Sequence, residues 1–138
     1  MAAKVDFEDN EGRMVRYVRH SNGGGLVSPG ARVHGGAWVA PTAYVETGAR
    51  LGDRSRIGAG SWLDHDVIVG EDVLVDRNVH LGPRARVHDG ARIGAGARIG
   101  SYVVVGRGAR LPAGAIVPDR TVVRRSARSG RSDLGVAA

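Results

Sequence analysis

The chain has 138 residues, no cysteine, 22 glycines and only six aromatic residues, and its 20 basic side chains outnumber 14 acidic ones for a net charge of +6. This length fits one domain, and the lack of cysteine excludes disulfides, thiolate metal sites and cysteine nucleophiles. A collagen-like chain is excluded because glycine has no three-residue period, and a disordered chain is excluded by the 42% hydrophobic fraction. No window approaches 18 consecutive apolar residues, so no membrane-spanning helix is expected. The N-terminus is acidic where a secretory signal would be basic and then apolar, which points to the cytoplasm.

The first element in chain order is a hairpin. Lys4–Glu8 and Met14–His20 alternate apolar and polar residues around the turn Asp9–Gly12, a pattern that predicts two antiparallel strands. Ser21–Gly25 reads as a joint. A repetitive fold leaves its first unit uncovered, so residues 1–26 are expected to act as a cap or an oligomer arm.

A strict repeat then runs over residues 27–123. Every sixth residue from Val27 to Val123 is Val, Ile or Leu, seventeen in all. Every sixth residue from Ala31 to Thr121 is Ala, Ser, Val or Thr. Fifteen of the 22 glycines fall either directly after the large apolar residue or three residues after it. Two inward positions separated by one outward position make a short strand of period two. The glycine-rich remainder makes a tight turn that calls for positive φ. Strand and turn in alternation, always with the same side inward, coil the chain into a prism. Its interior is narrow, because a large residue at one phase needs a small one at the other, and this accounts for the scarcity of aromatics. Residues 124–138 lose the period and read as a basic, disordered tail.

The pattern of a large aliphatic residue, glycine, two free positions, a small or β-branched residue and one free position resembles the hexapeptide repeat of left-handed parallel β-helices. The resemblance implies an all-β, single-stranded left-handed β-helix of about five triangular coils. It also implies a homotrimer with sites in the clefts between subunits.

Coils of eighteen residues sort the outward mid-strand residues into three columns. One is Tyr44, Trp62, His80, Arg98 and Ile116. The second is Trp38, Arg56, Leu74, Arg92 and Arg110; the third is Arg32, Arg50, Ile68, Arg86, Val104 and Val122. Exposed aromatics invite a cover, so Tyr44, Trp62, His80 and Trp38 are expected to form a subunit interface or a ligand wall. The arginine columns suit anionic company or simply a solvated surface. Nucleic acid is disfavoured, because no basic-aromatic binding module is visible.

Among the histidines, His34 and His88 share a phase but lie three coils apart. That is roughly 14 Å, too far for one metal within a chain, and no metal site is expected. The stretch from Leu63 to Val73, with Asp64-His65-Asp66 at its start, resembles the D/N-H-D-C-x-I-G-D/E segment of hexapeptide-repeat acyltransferases, notably those that acetylate sugars. The resemblance implies that His65 is a general base, drawing the proton from an acceptor hydroxyl or amine that then attacks an acyl thioester. Asp64 or Asp66 would fix its tautomer. Residues 108–128 resemble the close of the same enzymes, which implies Arg110, Arg124 and Arg125 as contacts for the acyl-CoA. On this reading acetyl-CoA or another acyl-CoA is a co-substrate and no cofactor is tightly bound. Two other readings stand beside it. One is a non-catalytic, self-assembling solenoid module, favoured by a repeat that runs without an insertion loop. The weaker one is a relative of the γ-class carbonic anhydrases, which share this fold and hold metal through histidines of neighbouring subunits.

Overall fold

A computed structural model describes residues 4–8 and 14–125 of the chain. The proposed tail after Arg125 and the turn within the hairpin lie outside the described residues. Strand β1 (Lys4–Glu8) pairs antiparallel with β2 (Met14–Arg19), placing Lys4 opposite Val18 and Glu8 opposite Met14. Strand β2 also lies antiparallel to β3 (Leu26–Val27).

From β3 onward the strands are two residues long and begin every six residues, ending at β19 (Val122–Val123). Each from β3 to the strand three before β19 pairs in parallel with the strand one coil further on, as in Tyr44↔Trp62, Trp38↔Arg56 and Arg32↔Arg50. The result is three sheets of eight, six and five strands, the first including the hairpin. The chain is an all-β, left-handed parallel β-helix of about five coils. Its three outward columns are those read from the eighteen-residue spacing.

The large aliphatic phase fills the interior. Every member from Val39 to Val123 is buried, including Ile57, Leu63, Leu81 and Ile93. Val33 is half-buried, with Ala31 beside it. The difference has a local cause. Strand β2 covers the first strand of one face. The Gly25 N–H donates to the Val39 carbonyl and the Val39 N–H to that of Asn22, so the joint covers the second. Among the described residues no strand pairs with Arg32–Val33 from the N-terminal side.

Two serines stand in the small phase where most coils carry alanine or valine. Ser55 Oγ donates to the Gly70 carbonyl at 2.6 Å and accepts from the Val73 N–H at 3.0 Å. Ser61 does the same between Asp76 and Val79. Elsewhere the turn closes on itself, as where the Ala85 N–H donates to the Gly82 carbonyl. The serine hydroxyl is therefore inserted into the turn of the next coil and satisfies both of its backbone groups.

The turns hold more than glycine. Asp66, Arg84, Tyr102 and Arg120 stack along one corner with φ of 60°, 60°, 57° and 65°, at the turn position where the same corner of the preceding coil carries Gly48 and turns at other corners carry Gly60 or Gly90. Left-handed backbone costs a side-chain-bearing residue roughly 1 kcal/mol. Aspartate tolerates it better than tyrosine or arginine.

Candidate active site

Strand β9 (Trp62–Leu63) ends at the corner that carries Asp64 and His65. Leu63 points into the core and Trp62 outward, so the next residue, Asp64, is drawn in at the edge of the prism. It is only 8% exposed. One of its oxygens, Oδ1, accepts from the His65 backbone N–H and from His65 Nδ1, each at 2.8 Å. The other, Oδ2, accepts from His80 Nε2 at 3.1 Å. A carboxylate can only accept, so each of these ring nitrogens carries a hydrogen. His65 is thereby held as the tautomer whose Nε2 has a free lone pair, while its ring stays exposed at the corner.

Burial by itself would raise the Asp64 pKa. The hydrogen bonds from the His65 ring and backbone and from the His80 ring outweigh it, and the carboxyl is held below its ordinary value.

Trp62 and His80, adjacent in the same column, stack with ring centroids 4.4 Å apart and planes 18° from parallel. The indole N–H of Trp62 donates to Glu46 Oε2 at 2.7 Å. Tyr17 of the hairpin donates to Glu46 Oε1 at 2.8 Å and meets Tyr44 edge-on at 5.5 Å. Burial, the bond to Glu46 and its negative charge raise the Tyr17 pKa, so this phenol stays neutral. A continuous chain of contacts thus runs from the hairpin to His65: Tyr17, Glu46, Trp62, His80, Asp64.

The structure brings His65, Asp64, His80 and Trp62 together, with Tyr44 reached through Tyr17. Asp66 faces elsewhere: its carboxylate lies 3.8 Å from Arg84. Trp38 lies on another face beneath the Arg56 guanidinium, 4.8 Å from the ring centroid. Arg110 belongs to that same face. Arg124 and Arg125 are exposed just after the last strand. Sequence reasoning missed Tyr17 and Glu46. Glu46 had a signal, since it lies one coil below Asp64 at the same turn position.

Beside His80 a groove of about 430 Å³ runs towards the C-terminal coils, lined by Pro83, Arg98, Ser101, Ile116 and Asp119. Its wall is mostly apolar, and Ile116 within it is 74% exposed. Among the described residues no three histidine, aspartate or glutamate side chains converge to hold a metal. No helix among them is long and apolar enough to cross a membrane.

The comparisons with known proteins bear on the repeat and the fold. The family model described as bacterial transferase hexapeptide (six repeats) matches residues 66–101, so the chain carries the repeat of these transferases. Among solved structures it is similar to the acetyltransferase domain of PglB from Neisseria gonorrhoeae FA1090, with 24% identity over 78% of this chain and 52% of that one and a TM-score of 0.70. The same domain in complex with acetyl coenzyme A matches at 28% identity, 72% and 53% coverage and a TM-score of 0.54. A variant of perosamine N-acetyltransferase from Caulobacter crescentus, in complex with CoA and GDP-perosamine, matches at 23% identity, 71% and 51% coverage and a TM-score of 0.50. The chain spans about half the length of each of these proteins. No curated protein matches it.

Proposed function

We propose that this β-helix is the catalytic unit of an acyl-CoA-dependent acyltransferase with His65 as general base. The observation that carries the reading is the Asp64–His65 pair. It fixes the imidazole with Nδ1–H inward and leaves basic Nε2 towards solvent. In the reaction His65 Nε2 takes the proton of an acceptor hydroxyl or amine while that heteroatom attacks the thioester carbonyl carbon. The tetrahedral intermediate then expels the CoA sulfur, breaking the C–S bond, and the proton on His65 passes to the leaving thiolate. Asp64 orients the ring and stabilises the imidazolium formed in the first step. His80 holds the second oxygen of Asp64, and Trp62 holds His80.

The groove next to His80 has the shape and apolarity to take an extended acyl-carrier arm. The acetyl-CoA complex of the PglB domain supports the choice of co-substrate. The exposed side chains of Trp62 and Ile116, three coils apart on one face, support a homotrimer in which a second subunit closes that groove. Arg110, Arg124 and Arg125 are assigned to the phosphates of the carrier, and the cytoplasm, where acyl-CoA is available, is the proposed location. Residues 1–26 act as an N-terminal cap on the solenoid.

Thioester consumption from acetyl-CoA across a panel of amino and hydroxyl sugars tests the reading. His65→Gln should lose at least about 100-fold in turnover, within the range general-base catalysis supplies. Equal turnover by wild type and variant would remove His65 from the mechanism. The competing reading, a structural solenoid, is favoured by the uninterrupted repeat. It predicts no turnover on any acceptor, together with assemblies that grow with concentration in sedimentation.

A further inference from the structure

Tyr17 reaches the site from outside the repeat. It stands in β2, and the pairing of Val18 with Val27 lays that strand against the first strand of the Tyr44–Trp62–His80 face. Its side chain is 7% exposed, yet its hydroxyl is directed at Glu46, 29 residues on. A cap that only covers apolar surface is served as well by phenylalanine. A desolvated hydroxyl costs free energy unless it is bonded, so a tyrosine at this place is explained by its partner. The phenol stays protonated and therefore stays a donor.

What Glu46 receives from Tyr17 it passes to Trp62. The indole is 41% exposed, so burial alone does not hold it in one place. Two contacts do: the bond from its N–H to Glu46 at 2.7 Å and the stack on His80 at 4.4 Å. His80 in turn holds Asp64 Oδ2 at 3.1 Å, the longer of the two bonds from imidazole rings to this carboxylate. With both oxygens anchored, the Asp64 carboxylate does not rotate, and Oδ1 stays on His65 Nδ1. Freeing Trp62 removes the ring stacked on His80, weakens the hold on Oδ2 and loosens what fixes the His65 tautomer. Bonds in such a chain support one another, so the loss is felt beyond the residue removed.

We propose that Tyr17 and Glu46 are positioning residues of the His65 site, the hairpin acting through Trp62 and His80 to fix Asp64 and the tautomer of His65. The catalytic consequence rests on the acyl-transfer reading above, whereas control of the His65 ring by the hairpin does not. Neither residue touches a reacting atom. Their effect therefore falls on the state of the two imidazoles and on turnover, and leaves the affinity for acyl-CoA as it was.

Heteronuclear NMR of the histidine ring nitrogens in the full chain, in mildly alkaline buffer, tests it. The wild type should carry its proton on Nδ1 of His65 and on Nε2 of His80, with assignments made from His65→Gln and His80→Gln. Tyr17→Phe removes the hydroxyl and keeps the ring that meets Tyr44. It should move both imidazoles towards the mixed tautomers of a free ring. It should also lower kcat about three- to tenfold at unchanged KM for acetyl-CoA, within the coupling seen between contacting side chains. Glu46→Ala should act alike. Glu46→Gln should restore the wild-type spectra, because its oxygen accepts from the Trp62 N–H and its amide donates to the Tyr17 oxygen. Circular dichroism of each variant establishes that the fold is kept. Imidazole spectra unchanged in Tyr17→Phe and Glu46→Ala would overturn the proposal. So would a Glu46→Gln variant that behaves like Glu46→Ala, since the effect would then belong to the charge. If the wild type consumes no thioester on any acceptor, the acyl-transfer reading fails, and the spectra still decide whether the hairpin governs the His65 ring.

Discussion

Asp64 accepts three hydrogen bonds while almost withdrawn from solvent, and its negative charge keeps both imidazoles in place. Its pKa is lowered in the folded chain. The unfolded state therefore binds the proton more readily, so the stabilisation is present above the ordinary aspartate value of about 3.9 and is lost as pH falls through the lower folded value. Asp64→Asn should flatten this acid limb in melting experiments and lower turnover by about 10–100-fold, the usual cost of removing a partner that orients a reactive ligand. If the variant keeps full turnover, the pair has no part in catalysis. Ser55 makes a second residue-scale case. Ser55→Ala removes a hydroxyl that bridges two buried backbone groups, but the turn can then close on itself as it does at Ala85. The loss should thus sit near 1 kcal/mol, at the low end for a buried hydrogen-bonded group, and chemical denaturation measures it.

At the scale of the strand and turn, a tight constraint falls on the glycine that follows seven of the seventeen large aliphatic residues. A Cβ on Gly82 would lie 2.7 Å from the Gly100 carbonyl carbon and 2.8 Å from the Ser101 nitrogen, both rigid backbone of the next coil. Gly82→Ala should therefore force adjacent coils apart and cost about 1–3 kcal/mol by denaturant unfolding, whereas Gly96→Ala meets no neighbouring atom and pays only for its positive φ. The same regularity explains what could be read in advance. The inward phases and the three outward columns were legible because period six and coil eighteen leave each residue only one place to go. Asp64 and His65 were legible as neighbours in the chain. Tyr17 was not, because it arrives from an antiparallel hairpin whose position against the first coil no repeat specifies. Nor was the division of labour between the two aspartates. Asp64 occupies the turn position just after Leu63 and is drawn against the core edge, while Asp66 takes left-handed backbone and swings towards Arg84. Glycine counting also hid the stacked non-glycine turn residues, since Asp66, Arg84, Tyr102 and Arg120 do the same conformational work at some energetic cost.

For the whole molecule, the prism offers three unlike surfaces. One carries Tyr44, Trp62, His80, Arg98 and Ile116, another is the face of Arg50, Ile68 and Arg86 with a concavity, and the third carries Trp38 beneath Arg56. Ile116, 74% exposed on the first, is the natural probe of the proposed trimer. Ile116→Glu should shift sedimentation towards smaller species with little change in monomer stability, because the side chain contributes almost nothing to its own core. An unchanged sedimentation profile would move the subunit contact to another face. The parallel pairing between coils has a further consequence, for insertions and deletions. It acts as a reading frame whose unit is a full turn of three repeats, as Trp62↔His80 shows. Eighteen residues added beyond the last pocket residue lengthen the prism by about 4.8 Å and leave every column in frame. Six residues added between Asp64 and His80 are silent for the hydrophobic phases, yet they rotate His80 onto a neighbouring face and break its bond to Asp64. The fold thus tolerates a lesion that its site does not.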